Sequence, residues 1–161
     1  MAIEAPLSKF AKTNIKIYIA VCAAAAIIFA YDGYLSKYKW SGRYSFYKEQ
    51  VLDNDGLPTQ TMNFNRKSPP FFLGAAVLFT VYFFVVKNKK LIADENELVF
   101  SDKLKIPFDS IQTIDKTYFD KKGFFVITHK DENGKEINRK LSDRNYDNLA
   151  PILDHIVAKI S

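Results

Sequence analysis

The chain has 161 residues, a length typical of one domain, and 25% of its residues are charged, with a net charge of +5 at neutral pH. Residues 1–86 hold nine Lys and Arg against five Asp and Glu, and residues 87–161 hold fourteen against thirteen, so the second half lacks the cationic excess of a nucleic-acid-binding domain. Cys22 is the single cysteine, which excludes an intramolecular disulfide and a cysteine-based metal site.

The first apolar run covers residues 17–31 and follows a leader that carries three lysines. Fifteen uncharged residues are short for a membrane span, so the predicted first transmembrane helix takes residues 15–35, with Lys16 reaching toward the interface, and residues 1–14 form an N-terminal segment. A cleaved signal peptide is the alternative, because a Lys-bearing leader before an apolar stretch is also its pattern. The bulky Ile28 near the end of the run argues against cleavage, and we expect the helix to be retained.

The second apolar run, residues 69–86, has eighteen residues without a charge and predicts a second transmembrane helix. Six Lys and Arg in the segment between the two helices face six outside them, so counting cations near the membrane gives no orientation. Two features favour one orientation: Lys16 precedes the first apolar run and Asp32 follows it, and a lysine cluster follows the second helix. We therefore expect two spans with both termini cytoplasmic.

The loop between the helices, residues 36–68, is long and rich in aromatic residues. Four of its apolar residues are spaced four, three and four apart, which places them on one face of a helix: Trp40, Tyr44, Tyr47 and Val51. With lysines among them, this pattern is typical of an amphipathic helix at the membrane interface. A stripe packed on a partner protein and an extension of the first span are equally open interpretations. Residues 59–65 alternate weakly and predict one extended strand.

From residue 87 onward the hydrophobic period changes to about two, with turn residues between short apolar pieces. The predicted strands lie near residues 90–94, 97–101, 103–107, 110–118, 122–130 and 135–141. A helical period follows over residues 146–160, where Pro151 either kinks the helix or lies near its start behind Asn148. The expected core consists of Ile106, Phe108, Ile111, Ile114, Phe125, Ile127, Leu149, Leu153 and Ile156.

The step Ile106-Pro107-Phe108-Asp109-Ser110-Ile111, within residues 97–114, resembles a segment of bacterial PH-like domains in small membrane proteins. The order of parts, two membrane helices followed by the domain, also resembles that family. The resemblance implies a membrane α+β fold: a two-transmembrane-helix hairpin in the bacterial inner membrane and, over residues 87–161, a PH-like antiparallel sheet closed by one amphipathic helix. The sequence departs from the family in its long loop and in having one strand fewer than a seven-stranded PH barrel.

The sequence contains no nucleophile elbow, phosphate-binding glycine loop or paired metal-binding histidines. His129 and His155 have no close-spaced carboxylate or cysteine partner, so we predict no catalytic residue, no metal and no cofactor. The expected function is therefore a non-enzymatic scaffold, regulatory or accessory subunit that contacts other membrane protein subunits or itself. The alternative is a sensor of anionic lipid surfaces, for which the candidate residues are Lys87, Lys89, Lys90, Lys103, Lys105, Lys121 and Lys122.

Overall fold

The computed structural model describes residues 2–101, 104–131 and 133–160. In chain order its main elements are β1 (Ile3–Pro6), α1 (Lys9–Ala30), α2 (Tyr44–Tyr47), α3 (Gln60–Lys67), α4 (Pro69–Val86), β2 (Lys90–Ala93), β3 (Glu97–Ser101), β4 (Leu104–Pro107), β5 (Ile111–Asp115), α5 (Phe119–Lys122), β6 (Phe124–Lys130), β7 (Glu136–Ser142) and α6 (Leu149–Ile160). The fold is thus a mixture of helix and antiparallel sheet. The chain divides into a helical unit, residues 15–83, and a sheet unit, residues 1–14 with 84–161.

The helical unit is built on the two long apolar helices α1 and α4. Their aromatic rings pair at two levels, Tyr18 with Phe79 at 5.7 Å between centroids and Phe29 with Phe72 at 5.3 Å, so the helices run antiparallel. By length and composition, the segments Lys9–Leu35 and Gln60–Val86 are candidate membrane spans. Only 6% and 11% of the residues in their most apolar stretches are buried, whereas the central helix of a soluble core is mostly buried.

Two predictions for the loop are wrong. Residues 59–65 do not form a strand, because the Thr59 side chain accepts a hydrogen bond from the Met62 N–H at 3.3 Å and begins α3 instead. The aromatic stripe does not lie on one continuous helix either. A turn at Ser41 separates Trp40 from α2, and the π-helical turn Lys48–Leu52 continues α2.

The sheet unit contains a four-stranded antiparallel sheet in the order β1-β2-β3-β4 and a three-stranded one in the order β5-β6-β7. The strands predicted from residue 90 onward are all present. The strand missing from the sequence interpretation is β1, which lies in the N-terminal segment and pairs with β2 from Ile3 opposite Ala93 to Pro6 opposite Lys90. The total in the described residues is therefore seven strands.

The hydrophobic core of the sheet unit lies between the inner faces of the strands and α6. Of the nine predicted core residues, Ile114 is only partly buried and the other eight are buried. Helix α6 begins at Leu149, directly after Asn148 with its positive φ of 63°. Pro151 therefore lies in the first turn, where a missing N–H removes no helical hydrogen bond.

Candidate functional site

The loop between α1 and α4 is held by an ion pair between buried Asp32 and half-exposed Arg43. The Arg43 guanidinium donates from Nε and Nη2 to the two carboxylate oxygens of Asp32, at 2.9 and 3.0 Å. Asp32 is buried at the end of the first helix, and its hydrogen bond raises the pKa of Arg43 above the ordinary value. A two-pronged Arg–carboxylate pair fixes the direction of both side chains, so it sets the path of the chain between these two residues.

Helix α3 packs closely against the turn Tyr31–Leu35 that continues α1. Arg66 Nε donates to the Gly33 carbonyl at 3.1 Å, and the Tyr34 hydroxyl donates to the Arg66 carbonyl. A Cβ atom at Gly33 would lie 2.7 Å from the Asn65 carbonyl oxygen, a distance that real Cβ contacts do not reach. The loop is therefore an ordered cap on the helix pair.

An exposed aromatic pair projects from this cap. The rings of Tyr38 and Trp40 stack with centroids 5.6 Å apart and planes 12° apart, and the two residues are 43% and 70% exposed. Lys37 Nζ lies 5.1 Å from the Tyr38 ring centroid. We call Tyr38 and Trp40 the stacked pair. Tyr and Trp are enriched at the centre of protein interfaces, where they often supply most of the binding energy.

The other predicted interaction residues are less exposed than Trp40. Tyr44 and Tyr47 are half-buried and contact each other with ring centroids 6.3 Å apart. Val51 is buried and contributes to the interior of the cap. The sequence did not indicate Tyr38, because it falls outside the three-and-four spacing that marks the helical stripe.

Most of the lipid-headgroup candidates lie on the surface of the sheet unit, and two of them have carboxylate partners. Lys90 forms an ion pair with Glu4, and Lys105 pairs with Glu97 at 2.7 Å. Lys87 lies 4.5 Å above the Phe84 ring, and Lys89 is exposed. Lys103 lies outside the described residues. Lys121 and Lys122 are exposed on α5.

Lys121 and Lys122 line a groove of about 850 Å³ together with two further cations, Lys140 of β7 and Arg144. We call this the cationic groove. Lys140 Nζ lies 3.7 Å above the Phe124 ring, which also stacks on Tyr118. The carboxylates of Asp120 and Asp143 line the same groove, so its four cations exceed its acidic groups by two.

The cationic groove lies at the end of the sheet unit where α1 begins. Ser8 donates from its backbone N–H to the Asn145 carbonyl at 2.9 Å, and the Arg144 guanidinium lies 5.9 Å from the Phe10 ring. On the other side, the Asp143 N–H donates to the Gly123 carbonyl at 2.9 Å. Sequence reasoning missed Lys140 and Arg144, because the strand pairing that brings them beside α5 is not visible in local spacing.

The two histidines lie on different elements of the sheet unit, His129 on β6 and His155 on α6. His155 Nε2 lies 2.9 Å from the Asp94 carbonyl oxygen, and its ring contacts Phe108 at 5.9 Å. His129 is buried at the end of β6. In residues 2–101, 104–131 and 133–160, no three His, Cys, Asp or Glu side chains form a cluster that could hold a metal ion.

Comparison of the chain with protein-family models, curated proteins and solved structures gives no match. Function is therefore inferred from the arrangement of side chains alone.

Proposed function

We propose that the chain is a non-enzymatic, membrane-anchored module that docks a membrane protein subunit, or a second copy of itself, on the stacked pair of its loop. In this proposal α1 and α4 cross the bacterial inner membrane as a hairpin. The low burial of both helices supports membrane insertion, because apolar surface of this extent needs a lipid or protein environment.

The sheet unit in this proposal is a PH-like domain. Seven strands in two antiparallel sheets and one C-terminal amphipathic helix support that assignment. The strand that the sequence interpretation lacked comes from β1, ahead of the first membrane helix. The hairpin is thereby inserted between two neighbouring strands of the domain, which ties the anchor to the sheet at two points.

The observation that carries the docking function is the exposure of the stacked pair on an ordered support. Trp40 is 70% exposed, yet its partner ring and the Asp32–Arg43 ion pair restrict the conformations of the segment that bears it. An ordered aromatic anchor loses little entropy on binding, so it favours a specific partner over a general affinity for surfaces.

The test is crosslinking in native membranes followed by mass spectrometry and native electrophoresis. The variant Tyr38→Ala with Trp40→Ala should lose the crosslinked assembly. Tyr44→Ala with Tyr47→Ala should weaken the assembly less, since those rings are half-buried. Leu57→Ala is the matched control, because Leu57 is 66% exposed in the same loop. An assembly that survives loss of the stacked pair would refute docking at this surface.

A second candidate function, recognition of anionic lipid, is favoured by the cationic groove. Its cations lie at the end of the sheet unit where α1 begins, and each exposed Lys or Arg near an anionic surface contributes about 1 kcal/mol of binding. Native mass spectrometry of the full chain from mixed phosphatidylglycerol and phosphatidylcholine nanodiscs tests it. Lys121→Gln with Lys140→Gln should reduce retained phosphatidylglycerol, and Lys159→Gln on α6 should not.

A further inference from the structure

The sheet unit carries a second groove, of about 620 Å³, lined by two strands that each end a sheet. Leu104, Lys105 and Pro107 line it from β4, and Ile137 and Arg139 line it from β7. In the described sheets β4 pairs with β3 alone and β7 with β6 alone. A strand at the edge of a sheet accepts hydrogen bonds from an added strand of another chain.

Two buried polar atoms beside this groove lack hydrogen-bond partners within the described residues: His129 Nε2 and Arg139 Nε. His129 is only 6% exposed and lines the groove. The Arg139 guanidinium lies 5.6 Å from the Phe100 ring, on the inner face of β7. A buried polar atom without a partner is costly, so this pair indicates a site that a ligand completes.

The chemistry of the two atoms specifies what such a ligand must offer. His129 Nδ1 lies 3.2 Å from the Lys130 carbonyl oxygen, and a carbonyl can only accept, so the proton belongs on Nδ1. In the neutral ring Nε2 is then an acceptor that needs a donor. Arg139 Nε carries a hydrogen and needs an acceptor, best a carboxylate. The carboxylates of a peptide with acidic side chains supply the acceptor that Arg139 needs, and its backbone supplies N–H donors that a bare anion lacks.

The charge of the groove also favours an acidic ligand. Lys105 is already paired with Glu97, which leaves Lys130 and Arg139 facing the single described carboxylate, Asp131. That carboxylate accepts two backbone N–H bonds within its own hairpin turn, at 2.9 and 2.8 Å, so part of its charge is compensated locally. Complementary charge directs the approach and the register of a partner.

We propose that this groove binds an extended acidic segment of a partner protein, which adds as a strand along the edge of β7. Its carboxylates meet Arg139 and Lys130, and its backbone N–H groups pair with carbonyl oxygens on the free edge of β7. The surface lies within the sheet unit, so it is separate from the stacked pair. Binding at this groove can therefore be tested independently of docking at the loop.

The experiment uses the full chain in phosphatidylcholine nanodiscs and fluorescence anisotropy. The probe is a fluorescein-labelled octapeptide of alternating Glu and Val. A peptide of alternating Lys and Val is the control for charge. The acidic peptide with alternate backbone nitrogens methylated is the control for strand pairing, because it lacks the N–H donors at those positions. Arg139→Gln should weaken binding at least tenfold and the exposed Lys130→Gln severalfold. Lys116→Gln, an exposed cation outside the groove, should stay within twofold.

Circular dichroism of each variant shows whether it is folded. If Arg139→Gln does not fold, Lys130→Gln alone tests the groove. Saturable binding of the acidic peptide, with loss on methylation, supports the proposal. Equal binding of the methylated peptide, or equally strong competition by inorganic phosphate, would show an anion site without strand addition and overturn it. No binding to the unaltered chain, or unchanged affinity in the folded groove variants, would overturn it as well.

Discussion

Ala5 lies directly opposite Leu91 in adjacent antiparallel strands, and both residues are fully buried. One precedes α1 and the other follows α4, so the two chain segments that flank the helix pair are neighbours in one sheet. Paired strands share one aqueous compartment, because a sheet edge cannot be left unpaired in lipid. If the helix pair is inserted in a membrane, the pairing of β1 with β2 therefore requires residues 3–6 and 90–93 to lie on the same side of it.

The first prediction is that positions 2 and 158 label from the same side of the membrane and position 39 from the opposite side. Ala2→Cys, Lys39→Cys and Ala158→Cys, each with Cys22→Ala, place single thiols at exposed positions. With both termini cytoplasmic, an impermeant maleimide added to intact cells modifies only position 39. Modification of positions 2 and 158 but not 39 would show the opposite orientation. Labelling of positions 2 and 158 from different sides would contradict the β1–β2 pairing in the membrane-bound protein.

The second prediction concerns the close approach of α3 to the turn after α1. Gly33→Ala puts a Cβ 2.7 Å from the Asn65 carbonyl oxygen and 2.8 Å from its carbon, both backbone atoms that cannot rotate away. We expect a loss of about 1–3 kcal/mol in the free energy of unfolding, the usual cost of overpacking. Urea unfolding in detergent micelles measures it.

Gly42→Ala is the control for that substitution, because no atom lies within 4 Å of the added Cβ. It should change the free energy of unfolding by less than about 0.5 kcal/mol. Equal effects of the two substitutions would mean that α3 does not pack on Gly33 in the protein.

The strands after residue 90 were predictable because their signals are local. Phe125 and Ile127 alternate with less buried residues along β6, and turn residues such as Gly134 mark the strand ends. The strand β1 is only four residues long, and it pairs with β2, which follows it in the sequence only after both long helices. Local alternation over so short a stretch does not distinguish a strand from a leader.

The candidate sites were less predictable than the fold, because their residues converge from distant segments. The lysine pair of α5 is visible in the sequence, but Lys140 and Arg144 join it only through the tertiary structure. The Asp32–Arg43 ion pair likewise depends on a turn that the spacing of aromatic residues did not indicate. Spacing predicts which residues share one element; it carries no information on which elements meet.

The third prediction tests the packing of α6. Leu153 is 5% exposed within the core of the sheet unit. Leu153→Ala should lower the free energy of unfolding by about 2–5 kcal/mol, since it leaves a cavity as well as removing apolar contact. Ile160, which is 38% exposed on the same helix, gives the control Ile160→Ala with an expected change near 0.5 kcal/mol or less, about that of a surface site. Similar changes in the free energy of unfolding for the two variants would mean that α6 does not pack in the core.

The last prediction is a pH dependence at Tyr146, which bridges to Leu7 beside the start of α1. Burial raises the pKa of the Tyr146 hydroxyl above its ordinary value, because the phenolate would be less well solvated there. The folded state therefore holds this proton at a pH where the unfolded chain has lost it. The resulting stability is fully present below a pH of about 10, the ordinary tyrosine value, and is lost as the pH rises through the folded-state pKa.

Tyr146→Phe removes the ionisable group and keeps the ring. The difference in Tm between the unaltered chain and this variant should be constant from pH 8 to about 9.5. It should then change in favour of Tyr146→Phe as the pH rises from about 10, the ordinary tyrosine pKa, to about 11. Lysine deprotonation affects both proteins equally, so it cancels in the difference. Parallel curves for the chain and Tyr146→Phe would mean that the Tyr146 hydroxyl reaches water in the folded protein.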